Sequence, residues 1–109
     1  MINWQRLREL QDEIGTEDFD EVVDLFLEEV GCAVDRVASE HDLATLGDDL
    51  HFLKGSALSL GFDQFARLCQ AGEMTAKQDA KTVEIEPIIA CYTQSKATFL
   101  AEFRQQLLQ

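Results

Sequence analysis

Residues 43–61 read LATLGDDLHFLKGSALSLG, and the spacing of their apolar residues predicts a helix that ends at Gly61. At about 100° per residue, one face of this helix collects Leu43, Leu46, Leu50, Leu53, Ala57 and Leu60. His51 points about 130° away from the centre of that face, so its imidazole is expected to face solvent. Its neighbours at i−4 and i+4 are Gly47 and Gly55, and each glycine costs a helix about 1 kcal/mol relative to alanine. Two such glycines beside one histidine predict that something large approaches it closely.

Four other segments show the same helical spacing. The first runs from about Asn3 to Ile14 and is stopped by Gly15, a residue type that commonly ends helices. Thr16 can cap the second helix, which extends to about Ser39. Its predicted buried stripe consists of Phe19, Val22, Val23, Phe26, Val30, Ala33, Val34 and Val37.

In the middle of the chain, the sequence predicts two helix N-terminal caps and one loop. Leu25 lies off the stripe of the second helix, so it is either covered by the first helix or exposed. Asp42 and Asp63 can cap the third and fourth helices, and the fourth extends to about Lys77. Its predicted inner face carries Phe65, Leu68, Cys69, Gly72 and Ala76. Residues 78–84 are predicted to form a polar loop.

Pro87 can start the last helix, because the missing N–H of proline is harmless in a first turn. The stripe of this helix is Ile88, Tyr92, Phe99, Phe103 and Leu107. Four long amphipathic helices with short connections predict an all-α fold, an antiparallel four-helix bundle with a short additional N-terminal helix over one end. Residues 1–109 are expected to form one domain.

The composition excludes several classes of function. The net charge of −12 argues against binding nucleic acid through its phosphates, which needs a basic surface. An acidic face could help to choose a basic partner, or the charge could serve solubility alone. No stretch approaches the roughly 20 apolar residues of a membrane span, and residues 1–10 do not form a signal peptide. The expected location is therefore the cytoplasm.

The three cysteines are Cys32, Cys69 and Cys91. Their number is odd and no Cys-x-x-Cys occurs, so neither a disulfide framework nor a zinc site is indicated. All three lie on or near apolar stripes and are predicted to be buried structural thiols.

A candidate reactive site follows from the predicted hairpin at Gly61. His51 lies ten residues before this turn and Glu73 twelve residues after it, which corresponds to roughly 15 and 18 Å along the two helices. Glu73 could therefore accept a hydrogen bond from one ring nitrogen of His51 and leave the other nitrogen as a nucleophile. Lys54, about one turn after His51, could offer positive charge to a phosphoryl oxygen. Taken singly, each of the three could be an ordinary surface residue.

Together these residues resemble the signature of the histidine-containing phosphotransfer (HPt) family of phosphorelay proteins. That signature is His-x-x-Lys-Gly-Ser/Ala, a Leu-Gly a few residues later, and a run with Leu, Cys and Glu on the next helix. The matching residues here are His51, Lys54, Gly55, Ser56, Leu60, Gly61, Leu68, Cys69 and Glu73. The resemblance covers nearly the whole chain. One departure is Gly72, where the family usually has a leucine.

The resemblance implies a phosphocarrier without ATP chemistry. His51 would take a phosphoryl group from an aspartate of one receiver domain and pass it to another, with a hybrid sensor histidine kinase upstream. Mg²⁺ and most catalytic groups would come from the receiver, and the chain itself would hold no cofactor. The residues expected to contact the receiver are Gly47, Gly55, Leu58 and Lys77. The chain is expected to act as a monomer, without nucleic-acid or membrane partners.

Three alternatives differ from this interpretation. The first is an acidic helical adaptor whose His51 has no chemistry. The second is a metal-dependent enzyme, which the sequence disfavours because His41 and His51 lie ten residues apart and no His-x-x-x-His occurs. The third is a detached input domain of a chemotaxis-type kinase; the length of the chain and its Met1 favour a free-standing protein instead.

Overall fold

The structure is a computed structural model that describes residues 2–39 and 43–107. Within these ranges the chain is all-α, with five helices and no strands: α1 (Trp4–Ile14), α2 (Thr16–Ser39), α3 (Leu46–Ser59), α4 (Asp63–Asp79) and α5 (Ile85–Leu107). A single 3-10 turn, Ala80–Thr82, separates α4 from α5. The predicted four-helix bundle with a short N-terminal helix is confirmed.

Caps at both ends limit α1 to eleven residues. The side chain of Asn3 caps α1 by accepting a hydrogen bond from the N–H of Arg6. Gly15 ends the helix with φ of 99°, a left-handed value that glycine adopts without a steric penalty. Its N–H donates to the carbonyl of Gln11, and α2 begins at the next residue.

Side-chain contacts between neighbouring helices establish the antiparallel order of α2 to α5. Phe19, near the start of α2, stacks on Phe103, near the end of α5. Phe62, the residue before α4, packs against the Phe99 ring in the second half of α5. The start of α2, the end of α3, the start of α4 and the end of α5 therefore lie at the same end of the bundle.

Helix α1 covers that end. Trp4 stacks on Phe99 of α5 with ring centroids 5.7 Å apart. The backbone N–H of Asn3 donates to the carbonyl of Gly61 in the α3–α4 turn, at 2.7 Å. These contacts close the core, whose largest fully buried side chains are Phe19, Phe62, Phe65, Phe99, Leu7, Leu46, Leu50, Leu53, Leu60, Val30, Val37 and Cys69.

The structure corrects several predicted helix ends. Asp63 is the first residue of α4 rather than its cap, and α5 begins at Ile85, two residues before Pro87. Helix α3 begins at Leu46 rather than Leu43, because residues 43–45 form a turn that takes Leu43 out of the apolar stripe and leaves it exposed. The predicted cap Asp42 lies outside the described residues. The segment 78–84 is not a simple loop, since α4 continues to Asp79 and its side chain caps the 3-10 turn by accepting from the N–H of Lys81.

The burial of three α2 side chains was predicted wrongly or left open by the sequence. Leu27 is buried although it lies outside the predicted stripe. For Leu25 the sequence left two alternatives, covered by the first helix or exposed, and the structure shows that it is exposed. The prediction that all three cysteines are buried is wrong for Cys32, which is exposed and lines an open depression on the surface between α2 and α3. None of the helices in residues 2–39 and 43–107 is long and apolar enough to cross a membrane.

Candidate functional site

His51 lies on the outer face of α3, opposite the buried stripe, and 67% of its side chain is exposed. Its Nδ1 atom lies 2.9 Å from Oε2 of Glu73 on α4. An ionised carboxylate has only acceptor atoms, so Nδ1 carries the proton and donates it. The lone pair of the ring is then on Nε2, the nitrogen that does not contact Glu73.

The Glu73 carboxylate is shared between two partners. Oε2 accepts from His51, and Oε1 lies 3.4 Å from Nζ of Lys54, so one side chain on α4 contacts two side chains on α3. Only 12% of the Glu73 side chain is exposed. Burial acts to raise the pKa of Glu73, but the hydrogen bonds from His51 and Lys54, together with their charges, outweigh it and hold the pKa below its ordinary value.

The α3–α4 turn sets the register of this contact. Gly61 has φ of 73°, and a Cβ atom at this position would lie 2.5 Å from the carbonyl oxygen of Asn3, so both the backbone conformation and the space require glycine. The N–H of Phe62 donates to the carbonyl of Ala57 and closes the end of α3. This tight turn brings His51 and Glu73 to the same height, as the sequence predicted.

Gly72 fixes the position of α4 beside Glu73. A Cβ atom on Gly72 would lie 3.1 Å from Cδ1 of Leu50 and 3.1 Å from Cδ1 of Ile88. Glycine therefore lets α4 lie close to both α3 and α5, and α4 continues through it without a break. A side chain at this position would require Leu50 and Ile88 to shift.

The four predicted partner-contact residues occupy different surroundings. A Cβ atom on Gly55 would have no atom within 4 Å, so the surface beside His51 is open there. Gly47 is half-buried and faces α4, where a Cβ atom on this glycine would lie 3.8 Å from Cβ of Ala76. Leu58, two turns after His51, is 51% exposed, and Lys77 is exposed one turn beyond Glu73.

The sequence did not predict a surface depression between α2 and α3 that begins at the residue after His51. Phe52, the next residue, is 41% exposed, and Leu25 of α2 is 53% exposed. Both line what we term the α2–α3 groove, a surface depression of about 570 Å³ whose other lining residues are Glu28, Glu29, Cys32, Arg36 and Asp49. The signal available in the sequence was that both side chains lie off the buried stripes of their helices.

No group of three or more His, Cys, Asp or Glu side chains in the described part of the chain is arranged to hold a metal ion.

The family model of the Hpt domain matches residues 5–109. Comparison with curated proteins and with solved structures gave no match.

Proposed function

The chain belongs to the Hpt domain family, in which a histidine carries phosphoryl groups in a phosphorelay, and on this premise we propose that His51 is the phosphoacceptor. The observation that carries the proposal is the 2.9 Å contact between its Nδ1 atom and Glu73. This contact holds the ring in one tautomer and directs the lone pair of Nε2 to solvent. His51 is therefore both oriented and accessible, as a nucleophile must be.

The transfer step uses the atoms of this arrangement directly. The Nε2 lone pair attacks the phosphorus of an aspartyl phosphate on a receiver domain, and an N–P bond forms. The P–O bond to the aspartate breaks, and the aspartate leaves as a carboxylate with the bonding electrons. Nδ1 keeps its proton, so the imidazole becomes a cation while it holds the phosphoryl group. Attack by the aspartate of a second receiver reverses these changes and restores the neutral ring.

Glu73 supplies the charge that this intermediate needs. The positive charge that develops on the ring lies 2.9 Å from a carboxylate that is already ionised, and this carboxylate is largely shielded from solvent. Lys54 holds the other oxygen of the same carboxylate, at 3.4 Å, and so limits its rotation. Lys54 also lies about one turn after His51 on α3, so its ammonium group can turn from Glu73 to a phosphoryl oxygen on the ring.

A pair of histidine variants tests the assignment, since the chain has two histidines. Wild type, His51→Gln and His41→Gln are incubated with a panel of phosphorylated receiver domains from the source organism and, separately, with phosphoramidate as a small phosphoryl donor. Acid-labile label is expected on wild type and on His41→Gln and not on His51→Gln, with equal helical circular dichroism for all three. Label retained by His51→Gln would contradict the assignment, and a wild type that takes no label would favour the adaptor alternative.

A further inference from the structure

His51 lies between two side chains of opposite charge on α3. Lys54 follows it by three residues and Asp48 precedes it by three residues, so each lies about one turn away along the helix. Helix residues at this spacing have Cβ atoms about 5–6 Å apart. Lys54 can bind a phosphoryl oxygen, whereas the carboxylate of Asp48 repels one.

The charge of Asp48 is not neutralised by a neighbour. Asp48 is exposed, and within residues 2–39 and 43–107 no basic side chain, Lys77 of α4 included, lies within ion-pair distance of its carboxylate. Asp49 is different, since it lies 3.5 Å from Arg36 of α2 and only 19% of its side chain is exposed. Around the helix, Asp48 lies about 60° from His51 and Asp49 about 160°. The unpaired carboxylate is therefore the one beside the imidazole.

The tilt of helical side chains brings the imidazole toward Asp48. In an α-helix each Cα–Cβ bond is tilted toward the N-terminus, so His51 leans over the turn that contains Gly47 and Asp48. Gly47 has no side chain to come between them. Lys54 leans toward His51 in the same way, but its ammonium group lies 3.4 Å from a carboxylate oxygen of Glu73. A phosphoryl group on Nε2 would thus meet the full charge of Asp48, while Lys54 is shared with Glu73.

Phosphorylation adds like charge beside Asp48. A phosphoryl group carries about two negative charges at neutral pH and the ring gains one positive charge, so the phosphorylated side chain is negative overall, on its outer atoms. The free imidazole is neutral and meets no such repulsion. Because both groups are exposed to water, the repulsion is moderate and is screened by salt. It raises the free energy of the phosphorylated chain alone.

We propose that Asp48 makes phosphorylated His51 less stable and thereby favours passage of the phosphoryl group to the next receiver domain. This inference rests on the proposed function, because it concerns the phosphorylated state of the same histidine. Asp48 acts through its charge and forms no bond to the reacting atoms. Lys54 favours arrival of the phosphoryl group, and Asp48 limits how firmly it is kept.

The equilibrium constant for phosphoryl transfer between a receiver domain and the chain tests this inference. Wild type, Asp48→Asn and Asp48→Lys are each mixed with a receiver domain, and the label on both proteins is measured at the plateau. The plateau is approached from the phosphorylated receiver and from the chain phosphorylated with phosphoramidate. The probes are the two receiver domains of the source organism that transfer fastest to wild type. Docking strength changes the rate of approach but not the equilibrium between the free proteins, so contacts with the receiver do not contribute.

Glu86 provides the matched control, since it is also an exposed acidic residue in the first turn of a helix. It lies on α5, which packs mainly against α4, α2 and α1 rather than against α3. Glu86→Gln and Glu86→Lys make the same changes of net charge away from His51. At both positions the carboxylate also interacts with the dipole of its own helix, and the loss of that interaction changes the melting temperature but not the equilibrium constant.

Asp48→Asn is expected to shift the equilibrium constant about threefold or more toward phosphorylated His51 at low salt, by the same factor with both receivers. Asp48→Lys is expected to shift it by about the square of that factor, since it changes the charge by two units. Both shifts are expected to shrink at 1 M salt, where the Debye length falls to about 3 Å. The two Glu86 variants are expected to stay within about 1.5-fold of wild type under all conditions.

An unchanged equilibrium constant in both Asp48 variants would overturn the inference and leave His51 as phosphoacceptor. A change in transfer rate without a change in this constant would assign Asp48 to contact with the receiver and overturn it as well. Equal shifts in the Asp48 and Glu86 variants would trace the effect to net charge and have the same consequence. Failure of every receiver and of phosphoramidate to label the wild type would overturn the proposed function together with the inference.

Discussion

Glu73 contacts His51 from the neighbouring helix, with its Oε2 atom 2.9 Å from Nδ1 and its other oxygen held by Lys54. The residue that orients the ring is thus 22 positions away in the chain and more buried than the ring itself. Solvent reaches Nε2 but largely not the carboxylate. The site therefore combines an accessible imidazole with a carboxylate that is largely protected from solvent.

Replacing Glu73 separates its hydrogen bond from its charge. Glu73→Gln keeps an acceptor for Nδ1–H and is expected to slow transfer less than about tenfold. Glu73→Ala is expected to slow it about 10–100-fold, the scale on which a metal site loses affinity or activity when the hydrogen-bond partner of a ligating histidine is removed. The measurement is single-turnover transfer from a phosphorylated receiver domain, with melting temperature as the control for folding. Equal rates for the two variants would show that the ring needs no orienting acceptor.

The charge of Lys54 can be tested apart from its length. Lys54→Met keeps an apolar stem without the ammonium group and is expected to lower the transfer rate about tenfold, equivalent to about 1.4 kcal/mol in the barrier. Lys54→Arg keeps a positive charge beside Glu73 and is expected to stay closer to wild type. Transfer by Lys54→Met at the wild-type rate, over a full range of receiver concentrations, would remove Lys54 from the reaction.

Acid should weaken the link between α3 and α4. Because the pKa of Glu73 in the folded chain lies below its ordinary value of 4.5, its ionised form stabilises the fold above pH 4.5, and this contribution is lost as the pH falls through the lowered value. The free energy of unfolding of wild type minus that of Glu73→Gln is expected to decrease as the pH falls from neutral to below 4.5. Urea unfolding at a series of pH values measures this difference, and a constant difference would contradict the pairing.

Thiol reactivity should divide the three cysteines. Cys32 is exposed, whereas Cys69 and Cys91 are buried, and burial, with a smaller effect of Cys91, raises the pKa of Cys69 to about 12. A neutral buried thiol is a poor nucleophile. Ellman's reagent is expected to modify one thiol rapidly in the folded chain and the other two only after unfolding. The Cys32→Ser variant should lose the rapid phase, and a rapid phase of two thiols would contradict the burial of the others.

The sequence predicted most of the helical frame and the central contact, for a physical reason. Helical periodicity records which face of each helix is buried, and the position of Gly61 fixes how two helices pair, so the height of Glu73 opposite His51 could be calculated. Cys32 and Phe52 were harder to place, because the surroundings of a residue at the edge of a stripe depend on how closely the next helix approaches. That approach is set by contacts such as those of Gly72 with Leu50 and Ile88, which periodicity does not contain.

The hydrogen bond between Asn3 and Gly61 has a consequence for tethering. It holds the start of the described chain at the α3–α4 turn, ten residues and therefore about 15 Å along α3 from His51. A receiver domain fused ahead of the chain through a short flexible linker would remain within reach of the imidazole, at an effective concentration in roughly the millimolar range. In such a fusion, transfer would become independent of protein concentration, so even a weakly matched receiver could be assayed.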